Sequence, residues 1–255
     1  MALIPRIAAV SYLNTVPFIY GIRHAGNLRA ELSLTPPSLC ARNFIAGDAD
    51  IALLPSAVVP ELKGAEMISD FCIGSEQEVR TVVVVSNTPI EEARRIWLDA
   101  HSRTSVQLAG YLAAKKWRIA PEWLAMEDYA VLDTPQDGDA FLLIGDKVFD
   151  HEDEFIYSYD LAAEWREATG QPFVFAVWVA RKGVPYEVTD ALEEALTFGV
   201  ERIYEAVRQS DYRDRPYAYD YLTRNIDFLF DNEKRKALQK FWTSGVKVTP
   251  RVEPG

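Results

Sequence analysis

Short apolar runs, too uniformly hydrophobic to leave a face in water, recur along this chain between stretches with helical spacing. Such runs stand at Arg6–Val10 (RIAAV), 50–54 (DIALL), 81–85 (TVVVV), Asp139–Ile144 (DAFLLI) and 173–180 (FVFAVWVA). A strand buried on both faces belongs in a sheet covered by helices, most often a parallel one. The intervals supply the helices. Residues 13–23 read as a turn and helix. Pro36 and Pro37 suit a helix start and Gly47 its left-handed cap. In 105–116, Val106, Ala109, Leu112 and Ala113 share one helix face, and the amphipathic stretch 159–169 stops at Gly170. Residues 29–34 alternate as a second strand, and Pro55-Ser56 reads as another helix start. Strands alternating with helices at this interval imply βαβ units, an α/β protein with mostly parallel sheet.

The length, 255 residues, suits one large or two modest domains. The runs 81–85 and 173–180 are read as two crossings between lobes. The chain then leaves a first lobe, builds a second and returns. The expected division is 1–85 with 175–255 in one lobe and 86–174 in the other. From about Pro185 the pattern is helical: Leu192, Leu196, Val200, Ile203 and Val207 lie on one face, and Leu229, Phe230, Leu238 and Phe241 form a last packing face. Two-lobed folds of this kind hold small ligands in the cleft between lobes and close by hinge motion.

Composition narrows the function classes. The net charge of −11 argues against nucleic acid or an anionic membrane as partner. No apolar run approaches the ~18 residues of a membrane span. The beginning, MALIPRIAAVSYLN, makes a poor secretory signal, so a cytoplasmic location is expected. Cys40 and Cys72 form neither a disulfide framework nor a CxxC site. His24, His101 and His151 are scattered without ligand spacing, so no metal site is expected. There is no GxSxG, P-loop or dinucleotide fingerprint.

The remaining polar signals sit where α/β sheets bind ligands, at the carboxyl ends of strands. Ser11-Tyr12-Leu13-Asn14-Thr15 follows the first strand. His101-Ser102-Arg103-Thr104-Ser105 opens a helix in the second lobe, where hydroxyls and first-turn N–H groups can hold a carboxylate. Ser56 ends the 50–54 strand, Thr81 opens the first crossing, and Gly145-Asp146 follows the 139–144 strand, with Asp146 a candidate acceptor for a hydroxyl. Each also has an ordinary reading as a helix cap, turn or strand residue.

Taken together, SYLNTVPF, GDADIALLPS, SRTSVQLAGYL, LLIGD and YDLAAEWREATGQPFVFAVW, in this order over about residues 6–180, resemble the menaquinone-biosynthesis chorismate dehydratases of the futalosine route. The resemblance implies a two-lobed, periplasmic-binding-protein-like type II fold. It implies a small-molecule substrate, chorismate, converted to 3-[(1-carboxyvinyl)oxy]benzoate and water without metal or organic cofactor. Asn14 falls on the family's loop asparagine. Thr81 stands where the family commonly has Ser, which keeps the hydroxyl and adds a methyl. Thr104 and Ser105 match the substrate-anchoring loop. Ser11, Ser56 and Gly145 complete the expected binding set. Losing the C4 hydroxyl and the C3 hydrogen aromatises the ring, so positioning and leaving-group assistance carry the catalysis. The substrate's own enolpyruvyl carboxylate is the expected base, held by Asn14 and Thr81, with Asp146 the alternative. The competing readings are a solute-binding protein for a small carboxylate, the pathway's dihydroxynaphthoate synthase, and a regulator's effector domain. The first lacks its signal peptide or lipobox Cys here, and the last its DNA-binding helix pair.

Overall fold

A computed structural model describes residues 4–252; the ends of the expected first lobe, 1–3 and 253–255, lie outside the described residues. The first stretch of chain gives β1 (Arg6–Val10), α1 (Val16–His24), β2 (Glu31–Thr35), α2 (Pro37–Ala46), β3 (Ile51–Pro55) and β4 (Ala65–Ser75). Next come β5 (Val82–Ser86), β6 (Arg95–Asp99), α3 (Thr104–Leu112), β7 (Glu122–Met126), β8 (Asp139–Ile144), the short α4 (Val148–His151), β9 (Tyr157–Asp160) and α5 (Leu161–Thr169). The chain then forms β10 (Phe173–Arg181), α6 (Tyr186–Val200), α7 (Ile203–Gln209), α8 (Arg215–Arg224), β11 (Asp227–Leu229) and α9 (Asn232–Thr243).

The strands make two sheets, ordered β11-β4-β10-β3-β1-β2 and β7-β6-β8-β5-β9. β1, β2 and β3 run parallel in the first, as do β6, β7 and β8 in the second. Both sheets are mixed, because β10 is antiparallel to its neighbours β3 and β4, and β5 to β8 and β9. The apolar runs are central strands. β3, β5 and β8 are buried throughout, whereas the edge strand β2 is half exposed. Along β5 the valines alternate between two cores. Val82 and Val84 face the large core shared with the first sheet. Val83 and Val85 pack with Met126, Phe141 and Leu143 on the far side.

Several expectations need correction. The runs 81–85 and 173–180 are not themselves crossings. A strand needs ladder partners along its length, and β5 finds them in the second sheet while β10 finds them in the first. The passages are the short segments before them, 76–81 and 170–172. Pro55-Ser56 opens only a 3₁₀ turn, Ser56–Glu61, which contains Pro60. The 159–169 helix starts at Leu161, where Asp160 caps it by accepting from the Ala162 and Ala163 N–H groups. The face running from Leu192 to Val207 is broken, because Arg202 leaves the helical region and α7 starts afresh. The chain also passes between the sheets a third time. Beyond α9, the Gln107 side chain clasps Val248 through both of its backbone polar groups, at 3.0 and 2.9 Å. Arg251 then pairs with Trp123 and Ala125 at the edge of β7.

Candidate active site

The carboxyl ends of β1, β3 and β8 converge with the start of α3 on a narrow cavity of ≈ 70 Å³. One wall comes from the loop after β1. Thr15 donates its hydroxyl to Val10 O (2.5 Å) and Tyr12 O (2.7 Å), which folds the loop into a 3₁₀ turn presenting Tyr12 and Asn14 to the cavity. The caps expected of Asn14 and Thr15 do not form. Across the cleft, Gly145 has φ +69°, and a Cβ there would lie 2.9 Å from the Tyr12 ring, so the glycine is what lets the ring lie flat against the turn after β8.

The opposite wall is the start of α3. No side chain caps the helix, so its first-turn N–H groups are open. Ser102, Arg103, Thr104 and Ser105 line the cavity there. The Ser102 hydroxyl is buried with no hydrogen-bond partner, and Arg103 is exposed beside it. Below the loop, Asp99 is almost completely buried; it accepts the His101 N–H at 2.7 Å and the Tyr129 hydroxyl. The Lys147 ammonium stands 3.7 Å from the same carboxylate. Burial first, and the bond to Asp99 second, hold the Tyr129 hydroxyl proton well above its ordinary affinity. These groups fix the loop from behind and leave its front polar atoms to the cavity.

At the rear, two hydroxyls are already used. Thr104 donates to Phe175 O (3.0 Å) and accepts from the Ala57 N–H (3.2 Å). Ser56 donates to Val174 O (2.7 Å) and lies 3.5 Å from the Thr104 hydroxyl. Together they pin α3 of the second sheet to β10 of the first. At the side, the Thr81 hydroxyl lies 2.8 Å from that of Tyr221.

Of the residues singled out in the sequence, Asn14, Thr81, Thr104, Ser105 and Gly145 line the cavity. Ser56 sits behind it, its hydroxyl bonded within the protein. Ser11 is exposed and Asp146 lines a separate outer groove with it, beside Tyr20, Arg23 and Tyr212. Asp146 instead accepts the Leu13 N–H, at 3.2 and 3.3 Å to its two oxygens. Burial raises its proton affinity, that N–H opposes the shift, and Asp150 adds to it. Sequence reasoning missed Tyr221, which reaches the site from α8, and gave Tyr12 and Ser102 no role of their own.

A family model described as menaquinone biosynthesis matches residues 5–247. The chain belongs to this family. Among curated relatives, this menaquinone-biosynthesis protein is 24% identical to the chorismate dehydratase of Thermus thermophilus, over 98% of this chain and 97% of the relative. Among solved structures, it superimposes on protein AF1704 of Archaeoglobus fulgidus with TM-score 0.74 and 19% identity, covering 94% and 95% of the two chains. It also matches the Candida albicans CA3427 gene product, described as having the generic periplasmic binding protein fold, with TM-score 0.65, 13% identity and coverage of 96% and 92%. The menaquinone-biosynthesis protein therefore has the periplasmic-binding-protein fold. Among its described residues no helix is long and apolar enough to cross a membrane, and no group of three or more His, Cys, Asp or Glu is placed to hold a metal ion.

Proposed function

We propose that the protein is a chorismate dehydratase, converting chorismate to 3-[(1-carboxyvinyl)oxy]benzoate and water. The observation that carries this reading is the makeup of the cavity wall. It offers the Asn14 amide, the Thr81, Ser102 and Ser105 hydroxyls, Arg103 and an uncapped helix start, and it contains no Asp, Glu or His. That set suits a dianion that brings its own base. The menaquinone-biosynthesis family and the Thermus relative, named a chorismate dehydratase, support chorismate as the substrate.

In the proposed reaction one substrate carboxylate sits on the open N–H groups of α3, with Ser102 and Ser105 donating to it. A hydrogen bond to a charged group contributes about 1.5–3 kcal/mol, and the helix start adds about 0.3–1 kcal/mol. The enolpyruvyl carboxylate, held against the C3 hydrogen, takes that proton. The C3–H electrons form the new ring double bond as the C4–O bond breaks. The departing hydroxide leaves as water, taking up the proton that the carboxylate gained. Thr81 donates to the departing oxygen, and Asn14 orients the ring. The protein supplies near-attack geometry and bond polarisation, and the aromatic product supplies the driving force. Because the cavity is narrow, the two sheets must part to admit the substrate and close over it.

Purified protein incubated with chorismate should yield a product lighter by one water, with the ultraviolet spectrum of a substituted benzoate. Unchanged chorismate in the presence of folded protein sinks the reading. If chorismate binds unchanged, a carboxylate-binding role takes its place.

A further inference from the structure

We infer that Asp160 is a positioning residue for the reaction: it holds Arg80 in a left-handed turn that sets the Thr81 hydroxyl on the cavity wall. The inference rests on the dehydratase reading, in which Thr81 donates to the departing oxygen, and adds to it a residue that does not itself line the cavity.

Asp160 is the last residue of β9, and its two oxygens are divided between two segments. Oδ1 takes the Ala162 and Ala163 N–H groups that begin α5, at 2.9 and 3.1 Å. Oδ2 takes those of Val79 and Arg80, in the passage before β5, at 2.9 and 2.6 Å. Successive N–H groups converge on one oxygen where the backbone bends into a concave nest, and a left-handed residue makes that bend. Arg80 supplies it, with φ +61°. A side chain disfavours this conformation by on the order of tenfold. The turn therefore persists only while its surroundings hold it, and the two bonds to Oδ2 do so.

The effect of the turn is seen at the residues that follow. Thr81 and Val82 both line the cavity, whereas a straight strand would send them to opposite faces. Beyond the turn the chain is fixed by the Thr81 carbonyl, which accepts the Gly145 N–H at 2.8 Å. Before it, the Ser75 hydroxyl donates to the Glu78 carbonyl at 2.9 Å. Between these anchors, Asp160 grips both N–H groups of the bend. The Thr81 hydroxyl then stands 2.8 Å from that of Tyr221 and 3.4 Å from the Val79 carbonyl. Without the carboxylate, Arg80 relaxes out of the left-handed region and the Thr81 hydroxyl swings away from the departing oxygen. An interaction made in the transition state is then lost, so kcat falls and KM does not.

Asp160→Asn separates the two halves of the grip. Asparagine caps a helix as well as aspartate does. Its carbonyl keeps Ala162 and Ala163, which turns its NH₂ group toward the Val79 and Arg80 N–H groups, donor against donor. The test is the steady-state kinetics with chorismate of Asp160→Asn, alone and combined with Arg80→Gly or Arg80→Ala, on protein whose folding is verified by near-ultraviolet circular dichroism. Asp160→Asn should lower kcat roughly tenfold with KM changed less than about threefold. Adding Arg80→Gly should restore at least about threefold, because glycine enters the left-handed region freely. Adding Arg80→Ala should restore nothing, although it equally removes the guanidinium that packs over the Tyr217 ring at 5.0 Å. A carboxylate that only caps α5 would lower the unfolding temperature and leave kcat alone. Wild-type kcat in Asp160→Asn, or equal kcat in the two combined variants, overturns the inference while leaving the dehydratase reading standing. Inactive wild-type protein overturns both. If Asp160→Asn does not fold, Asp160→Ser takes its place: the hydroxyl still caps α5 but is a single acceptor that cannot also serve the passage. The same loss of kcat and the same difference between the two Arg80 variants are then required, and wild-type kcat rejects the inference.

Discussion

The Asp146 carboxylate meets one backbone N–H, that of Leu13, and is repelled by Asp150. It faces the outer groove and not the cavity proposed to take chorismate. Two consequences follow at this scale. Asp146→Asn should keep kcat within about threefold at saturating chorismate, because an asparagine still accepts from Leu13. Asn14→Ala should lose on the order of a hundredfold, the penalty for misplacing a reacting group by about 1 Å. Background activity in Asp146→Asn with normal chorismate binding would make Asp146 the base. The second consequence concerns stability. The folded state raises the proton affinity of Asp146, so the stability it contributes is complete below the ordinary carboxylate range, near pH ~4. It is lost as pH rises through the raised value. Asparagine cannot ionise, so the unfolding temperature of Asp146→Asn, relative to wild type, should climb as the pH is raised from about 4 toward neutrality. A flat difference across that window would show that burial imposes no penalty on the carboxylate.

Among the elements, α1 and α6 cross where Gly21 and Gly199 bring their backbones together. A methyl group on Gly21 would run into the Ala195 carbonyl, and one on Gly199 into that of Pro17. Gly199→Ala should cost about 1–3 kcal/mol by overpacking, lowering the unfolding temperature by about 2–4 °C per kcal/mol. An unchanged unfolding temperature would mean that the helices slide apart freely. That contact was invisible in the sequence, where Gly199 looks like any residue on a helix face. What was legible had a local cause. β1, β3, β5, β8 and β10 are buried on both faces and so read as unbroken apolar runs. α2 begins at Pro37 and ends at Gly47 with φ +92°. β4 was missed because Glu66, Ser69 and Asp70 interrupt its pattern and its pairing with β10 changes register. The candidate site shows the same division. Asn14, Thr81, Thr104, Ser105 and Gly145 stand next to strand ends or helix starts and could be read there. Tyr221 could not, since nothing in RPYAYDYLTR distinguishes it from Tyr217 or Tyr219. Asp146 was misplaced because position after a strand says nothing of which groove a side chain faces.

On the scale of the whole molecule, the first passage between the sheets is gripped by largely buried charge. In the first, the Asp160 carboxylate takes the Val79 and Arg80 N–H groups as well as those starting α5. Nearby, the Lys234 ammonium, with no exposed side-chain surface, reaches Asp227 (2.6 Å), Glu76 (2.9 Å) and Asp231 (3.3 Å). Burial works against that proton, but the bonds to Asp227 and Glu76 outweigh it and raise the affinity of Lys234 for it. Glu76 opens the passage, so α9 is tied by this ion pair to the segment that joins the two sheets. The third passage, the tail clasped by Gln107, bears on a different property. β7 is the last strand of its sheet, and Arg251 occupies the backbone groups that its outer side would otherwise offer. An unpaired strand edge is a template for another chain. A chain ending at Lys247 should therefore show concentration-dependent self-association in sedimentation velocity that the full chain does not; monomers alone at every concentration would refute this. The segment from Val248 to Arg251 thus acts as a selvedge, hemming the fabric of the second sheet so that it does not stitch itself to a neighbour.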